Sequence, residues 1–216
     1  MLDTYKRITA VTVNYRTPDL LRDCITSFAN SYPNVTHIVI DNGECEESVE
    51  VVNELGAVLV QSHTNIGHGP ALDLGIRLVS TTHVLTLDSD TKLKAGGFLE
   101  LMLAEFDANP NLFALGWLRF TNAAGVAGLS KAGFPYIHPY ASLLNVEKYV
   151  TLAPFIGQGA PAVNTMQDAV TKGYDLMDFP VQRYIDHKES GTRGHFGGVF
   201  KIAPGSKMME WKKYKI

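Results

Sequence analysis

The stretch HVLTLDSDTKL, residues 83–93, decides the fold class, because an apolar run ends there in two closely spaced carboxylates. The run through Leu87 has the composition of a buried strand, and Asp88 and Asp90 follow it. One interpretation is an ordinary turn, since Asp and Ser side chains bond to nearby backbone groups. The other is a cation site at the carboxyl end of a sheet strand, where open α/β sheets bind their ligands. The motif alone does not decide between them, because short motifs often occur by chance.

Length and composition predict one globular domain over residues 1–216. Hydrophobic residues make up 45% of the chain and charged residues 19%, which is typical of a packed core. The net charge of −3 gives no broad basic surface, so we expect no nucleic-acid partner. No apolar segment approaches the roughly 20 residues of a membrane span, and we expect a cytoplasmic protein. The Lys-rich residues 207–215 suggest peripheral membrane contact at most.

Strand and helix signals alternate along the first half of the chain. Apolar, β-branched runs predict strands at residues 7–15, 35–41, 57–60 and 83–87, with helix-period segments between them. This alternation predicts an α/β fold with a mainly parallel, doubly wound sheet. Residues 133–159 contain three prolines and five Phe or Tyr side chains without a sustained period. We therefore expect the C-terminal half to be irregular.

Polar or aromatic residues follow each of the four predicted strands. They are Asn14 and Tyr15, Asp41 and Asn42, His63 and Asn65, and Asp88 and Asp90. Each alone has the composition of a turn or a helix cap. In a parallel sheet these ends lie at one edge, and that edge is where nucleotides bind. The four ends together favour a nucleotide site.

The loop NIGHGPALDLG, residues 65–75, excludes two other nucleotide-binding architectures. Gly67 and Gly69 form a GxG, but Leu72 occupies the position of the third glycine and the loop follows the third strand. The dinucleotide fingerprint is therefore absent, and no GxxxxGK[ST] phosphate loop occurs in the sequence. What remains is a glycine turn before a helix, which lets backbone approach a ligand and offers amide groups to an anion.

The order and spacing of these segments over residues 7–117 resemble the GT-A glycosyltransferases of family 2. The resemblance implies a GT-A fold, with a nucleotide-sugar-binding half at about 7–117 and an acceptor-side half at about 118–216. It also implies a metal-dependent enzyme that moves a sugar from a nucleotide-diphosphate donor to a glycan, lipid-linked or small-molecule acceptor. A hard cation held by carboxylates would stabilise the charge that develops on the leaving diphosphate.

The resemblance also implies roles for individual residues. Asp90 is expected to bind Mn²⁺ or Mg²⁺, and Asp88 to contact the donor ribose or a metal-bound water. Tyr15 and Asp41 match the positions that hold the nucleobase, and the loop beneath the base contains Asn65 and Gly67. We expect a UDP- or dTDP-sugar donor, because a carboxylate accepts from a pyrimidine imide N–H and a tyrosine ring stacks on the base.

Two departures from the family pattern bear on catalysis. Ala71-Leu72-Asp73 stands where members often have Ala-Arg-Asn, and Pro161-Ala162 stands where inverting members carry the acidic pair that contains the general base. Asp168 is our candidate for the missing base, with Glu147 and Asp175 as alternatives. If no carboxylate reaches the acceptor, a retaining mechanism or a nucleotide-sugar-binding protein without catalysis is expected instead. Nucleotidyltransferase chemistry is a third, weaker possibility.

The C-terminal segment YIDHKESGTRGHFGG, residues 184–198, supplies further candidates. His187 is the expected third metal ligand in preference to His195, because it directly follows an apparent strand at residues 181–186. Arg193 and Lys188 are expected to close over the diphosphate, since guanidinium groups form two-pronged bonds to phosphate oxygens. Among the aromatic residues upstream, Tyr136 and Tyr140 fit either an acceptor site or a small core.

Overall fold

The computed structural model describes residues 5–121, 127–128, 133–157 and 160–188. In this part of the chain a central sheet has the order β3-β2-β1-β4-β8-β6-β7, and β9 pairs with β6. Its strands are β1 (Ile8–Asn14), β2 (Thr36–Asp41), β3 (Val58–Gln61), β4 (His83–Leu87), β6 (Leu112–Thr121), β7 (Ala127–Gly128), β8 (Phe134–Asn145) and β9 (Asp175–Asp178). Two short strands, β5 (Thr91–Leu93) and β10 (Ile185–His187), form a separate antiparallel pair.

Helices cover both faces of the sheet. They are α1 (Pro18–Ser31), α2 (Glu46–Glu54), α3 (His68–Leu78), α4 (Phe98–Ala108), α5 (Val146–Tyr149) and α6 (Val163–Thr171), with a single 3₁₀ turn at Val181–Arg183. In α1 the helix-period residues Leu21, Cys24, Ile25 and Phe28 are buried, as their spacing predicts. None of the helices in the described ranges is long and apolar enough to cross a membrane.

The strands β3, β2, β1 and β4 pair in parallel, which confirms the predicted doubly wound arrangement. The strand β8 lies between β4 and β6 and runs antiparallel to both. Helix α3 packs closely on β1 at Gly75. A Cβ added at this glycine would lie only 2.4 Å from Cγ1 of Val11, so a larger residue would not fit without a shift. Because β2, β1 and β4 pair in parallel, their carboxyl ends lie side by side at one edge of the sheet.

Two local expectations were wrong. The stretch expected to be irregular begins with the twelve-residue strand β8. Its prolines and aromatic residues hid the strand, because β8 bulges against β6 and lacks a strict two-residue period. The apparent strand at residues 181–186 is a 3₁₀ turn followed by β10, so His187 is the last residue of a strand.

Candidate functional site

The carboxyl ends of β1 and β2 form the first part of the site. Asn14 and Asp41 are register partners, and Asp41 is fully buried at the end of β2. Its Oδ2 accepts a hydrogen bond from the Cys45 backbone N–H at 3.2 Å. Its Oδ1 is buried without a hydrogen-bond partner among the described residues. Burial raises the pKa of this carboxyl group, and an unpaired buried oxygen of this kind is a ready acceptor for a ligand N–H.

An asparagine pair fixes the loop after β3. The side chain of Asn42 donates to Oδ1 of Asn65 at 3.0 Å, and the Ile66 N–H donates to Oδ1 of Asn42 at 3.0 Å. Oδ1 of Asn65 also accepts from the Gly67 N–H at 2.9 Å. Gly67 has a φ of 96°, a conformation that glycine adopts without a steric penalty. The loop is thereby held against the end of β2, as the strand-end pattern predicts.

Tyr15 directly follows β1 and lies against Gly43, in the segment after β2. Its ring packs so closely over Gly43 that a Cβ there would lie 2.6 Å from the ring. Arg16 donates through Nε to the Gly43 carbonyl at 2.9 Å, and its guanidinium lies 5.8 Å from the Tyr15 ring centroid. Tyr15 and Asp41 thus lie at the ends of the neighbouring strands β1 and β2, and their role in holding a nucleobase stays a prediction.

The turn after β4 is fixed through its backbone. The Asp88 N–H donates to the Tyr140 carbonyl at 2.9 Å, and the Asp88 carbonyl accepts from the Thr91 N–H at 3.1 Å. The Thr91 hydroxyl also donates to this carbonyl, at 2.7 Å. These bonds fix the backbone of the turn that carries the Asp88 and Asp90 side chains.

His187 is brought to these carboxylates from the far end of the described chain. The pairing of β10 with β5 sets His187 opposite Thr91, and its ring stacks on Tyr140 with centroids 4.6 Å apart and 13° between the planes. Its Nε2 lies 3.2 Å from Oδ1 of Asp90 and 3.7 Å from Oδ2 of Asp88.

The group Asp88, Asp90 and His187 fits a divalent metal. One ligand atom from each residue lies within 4.8 Å of the others, and carboxylate and imidazole groups are ligands that divalent metals accept. The stacked ring and the paired backbone hold the imidazole in one orientation. The prediction that His187 joins the two aspartates is therefore consistent with the geometry, although its role as a metal ligand stays a prediction.

His68 is a site residue that the sequence reasoning missed. It is the first residue of α3, and its Nε2 lies 3.4 Å from Oδ1 of Asp88. Burial lowers the pKa of His68, but contact with Asp88 outweighs this effect and raises it overall. Conversely, burial raises the pKa of Asp88, but the charges of His68, His187 and His138 lower it overall. The only signal for His68 was its place directly after Gly67.

Two of the three candidate bases lie at the opposite edge of the sheet from this group, and the role of Asp168 stays a prediction. Oδ2 of Asp168 accepts from the Ala153 N–H at 2.9 Å and from Nζ of Lys172 at 3.1 Å. Glu147 and His83 line a common cavity of about 280 Å³ at the amino end of β4, opposite the carboxylates. Asp175 pairs with Leu112 at the amino end of β6, which is also the wrong edge. Glu147 and Asp175 are thereby excluded as bases.

The remaining predicted residues divide into two groups. Lys188 donates its backbone N–H to the Asp90 carbonyl at 3.0 Å, while its Nζ lies 3.7 Å from Asp23. Its side chain therefore points to α1 and not over the expected diphosphate. Arg193 and His195 lie outside the described residues, so their predicted roles stay predictions.

Residues 9–157 match the family described as Glycosyl transferase family 2, and the chain belongs to this family. No curated protein is detectably similar to it in sequence. Among solved structures it is similar to the mannosyltransferase PcManGT from Pyrobaculum calidifontis in complex with GDP-Man and Mn²⁺. That match has a TM-score of 0.63 at 15% identity and covers 81% of this chain and 55% of that one.

Two further structures show the same fold. The match to TarS 1–349 of S. aureus has a TM-score of 0.61 at 14% identity. It covers 83% of this chain and 59% of TarS 1–349. Glucosyl-3-phosphoglycerate synthase from Mycobacterium tuberculosis, in complex with Mn²⁺, UDP and glucosyl-3-phosphoglycerate, has a TM-score of 0.64 at 14% identity. That match covers 91% of this chain and 76% of the synthase. The chain therefore covers just over half the length of the mannosyltransferase and of TarS 1–349.

Proposed function

We propose that this family 2 glycosyltransferase transfers a sugar from a nucleotide-diphosphate donor in a reaction that depends on a divalent metal. The observation that carries the proposal is the convergence of Asp88, Asp90 and His187 beside the Asp41 pocket. The pocket would hold the nucleoside and the three-residue group would hold the metal. A donor lying across both would place its diphosphate between the ends of β1 and β4.

Mn²⁺ or Mg²⁺ would be held by Asp90 and His187, and Asp88 would contact the metal, a metal-bound water or the donor ribose. When bound, the metal supplies positive charge that offsets the charge developing on the leaving diphosphate. Stacking on Tyr140 keeps the His187 imidazole aimed at the two carboxylates. The contact of His68 with Asp88 holds that carboxylate ionised, so that it can bind a cation or accept from a ribose hydroxyl.

A pyrimidine base fits the pocket chemistry. Oδ1 of Asp41 is a buried acceptor without a partner among the described residues, and the imide N–H of uracil or thymine is a single donor of matching type. The half-buried Tyr15 ring offers a face on which the base can stack. This chemistry supports a UDP- or dTDP-sugar donor.

Asp168 remains our proposed general base. Both of its recorded contacts use Oδ2, and its other oxygen would accept the proton of the acceptor hydroxyl. The alternative is a nucleotide-sugar-binding protein without catalysis. Pro161-Ala162 favours this alternative, because no carboxylate stands where the base of inverting members is expected.

Thermal denaturation with a panel of nucleotide sugars, with and without Mn²⁺, tests the proposal. We expect a UDP- or dTDP-sugar to raise the melting temperature only when Mn²⁺ is present, because a ligand of the folded state stabilises it. Asp90→Asn should abolish the increase and Asp88→Asn should reduce it. Asp186→Asn is the matched control, since Asp186 is also in β10 but pairs with the exposed Lys94.

Equal stabilisation of the wild type and Asp90→Asn, or stabilisation without metal, contradicts the metal-dependent site. Measurement of released nucleoside diphosphate with candidate acceptors then separates the enzyme from the binding protein. If Asp168 is the base, Asp168→Asn should bind the donor normally and release product at least about 100-fold more slowly.

A further inference from the structure

The strands β6 and β8 present an aromatic and basic surface next to the candidate metal group. We call it the Trp117–Arg119 face, and it consists of Trp117, Arg119, Tyr136 and His138. Trp117 and Arg119 come from β6 and the other two residues from β8. Arg119 lies directly opposite Tyr136 in the antiparallel register. The proposed donor and metal sites use none of these four side chains.

Arg119 is one of the arginines of the described chain that pair with no carboxylate, as are Arg16 and Arg183. Arg7, Arg22 and Arg77 bind carboxylates at 2.6, 2.7 and 2.9 Å. Arg119 forms no such pair with any residue in the described ranges, and its guanidinium lies 4.3 Å from the centroid of the Trp117 ring. Stacking fixes the plane of a guanidinium while leaving its N–H groups available, and their fork matches a phosphate or carboxylate.

Two further side chains on this face, Tyr136 and His138, can each donate a hydrogen bond to a ligand. The Tyr136 hydroxyl is buried and lacks a hydrogen-bond partner within the part of the chain that the structure describes. Nδ1 of His138 accepts from the Tyr140 N–H at 3.3 Å, so the proton of the neutral ring resides on Nε2. A buried hydroxyl without a partner is costly unless a ligand or water binds there.

Ring contacts connect this face to the candidate metal group. His138 lies 5.9 Å from Trp117 and 6.2 Å from His187, measured between ring centroids. Asp88 and Asp90 make the inner end of the crevice acidic, whereas Arg119 makes its outer end basic. An acceptor with one anionic group would therefore bind with this group at Arg119 and its neutral hydroxyl toward the carboxylates and the donor sugar.

We propose that the Trp117–Arg119 face is an acceptor subsite for a small molecule that carries a phosphate or carboxylate. Arg119 binds the anion, the Tyr136 hydroxyl and Nε2 of His138 donate to its oxygens, and the Trp117 ring packs against the carbon chain. This inference rests on the proposed function, because it names the acceptor class of the same crevice. Arg119 is a specificity residue in this scheme and takes no part in donor binding.

Fluorescence of Trp117 tests the proposal directly. The chain has two tryptophans, so Trp211→Phe in every variant leaves Trp117 as the only indole. The probes are sn-glycerol 3-phosphate, glycerate and neutral glycerol, each titrated with UDP and Mn²⁺ present. We expect a saturable change in emission with at least one anionic probe and none with glycerol.

Variants separate the anion site from the fold and from the donor site. Arg119→Gln should weaken binding of the anionic probe at least about tenfold, because a hydrogen-bonded charge is lost, and Tyr136→Phe should weaken it less. Arg22→Gln is the matched control, since Arg22 pairs with Glu54 on the surface. Calorimetric titration with UDP and Mn²⁺ should give the same affinity for Arg119→Gln and the wild type.

Three results overturn the inference: an equal response to glycerol and the anionic probes, no response to either anion, or unchanged anion binding by Arg119→Gln. A wild-type protein that does not bind UDP in the presence of Mn²⁺ is a different result, and it contradicts the proposed function instead. A response to glycerol 3-phosphate alone, or to glycerate alone, supports the inference and identifies the anion as phosphate or carboxylate.

Discussion

The buried histidine His37 should make the protein sensitive to mild acid. Its Nε2 shares a hydrogen bond with the Thr12 hydroxyl at 2.8 Å, its ring packs edge-on against Phe28 at 5.1 Å, and its Nδ1 is buried without a partner among the described residues. Burial lowers the pKa of His37 from 6.5 to about 4. Between these two pKa values the His37 imidazole is neutral in the folded protein, whereas in the unfolded chain it is protonated.

The sign and size of the effect follow from this difference in pKa. Between pH 6.5 and 4 the unfolded state binds the proton more tightly, so the free energy of unfolding falls as the pH falls. For the two pKa values given above, linkage predicts a loss of about 2 kcal/mol between pH 7.5 and pH 5 from this residue alone. His83, whose pKa burial also lowers to about 4, adds a separate loss.

Urea denaturation at pH 7.5 and pH 5 measures this loss. In the wild type the free energy of unfolding should fall by the combined contributions of the titrating groups. In His37→Leu the fall should be smaller by about 2 kcal/mol, whatever the stability of this variant at pH 7.5. An identical pH dependence for His37→Leu and the wild type would refute the reasoning.

Three further changes test the site and its scaffold. Asp41→Asn should lower the affinity for UDP with Mn²⁺ about tenfold, since a charged acceptor is lost, and calorimetry in which the wild type prefers GDP would contradict a pyrimidine pocket. Gly69→Ala should destabilise the fold by about 1–3 kcal/mol, because its Cβ would lie 2.6 Å from the backbone of Ile156; an unchanged melting temperature would count against this close contact. Tyr140→Ala should cost about 3 kcal/mol or more and weaken Mn²⁺ binding as well, because Tyr140 is buried and supports His187; full stability with reduced acceptor transfer would instead favour a role at the acceptor.

Periodicity sufficed to predict the parallel half of the fold. Residues 8–14, 36–41 and 83–87 are continuous apolar strands between amphipathic helices, and parallel strands buried on both faces have this composition. Their carboxyl ends must then share an edge, which is why Tyr15, Asp41 and Asp88 were predicted to lie near one another. Here local pattern and topology agree.

The acceptor side depends on contacts that no local pattern contains. The strand β8 carries prolines and a bulge, so its period was lost in the sequence, and the burial of Tyr136 and Tyr140 did not follow from it. His68 reaches Asp88 only because helix α3 begins beside the end of β4. The cation–π contact of Arg119 depends equally on the local geometry of β6. These are consequences of tertiary packing, which propensity does not report.

The pairing of β10 with β5 makes the position of His187 beside Asp88 and Asp90 a matter of chain topology. Three register pairs join segments that lie more than 90 residues apart, from Ile185 with Leu93 to His187 with Thr91. Closing so long a loop costs conformational entropy that three pairs offset only in part. Any cation held by His187 and the aspartates would stabilise the pairing of these two distant segments. During synthesis the ends of β1, β2 and β4 emerge early, whereas Asp88, Asp90 and His187 cannot come together before residue 187 has emerged.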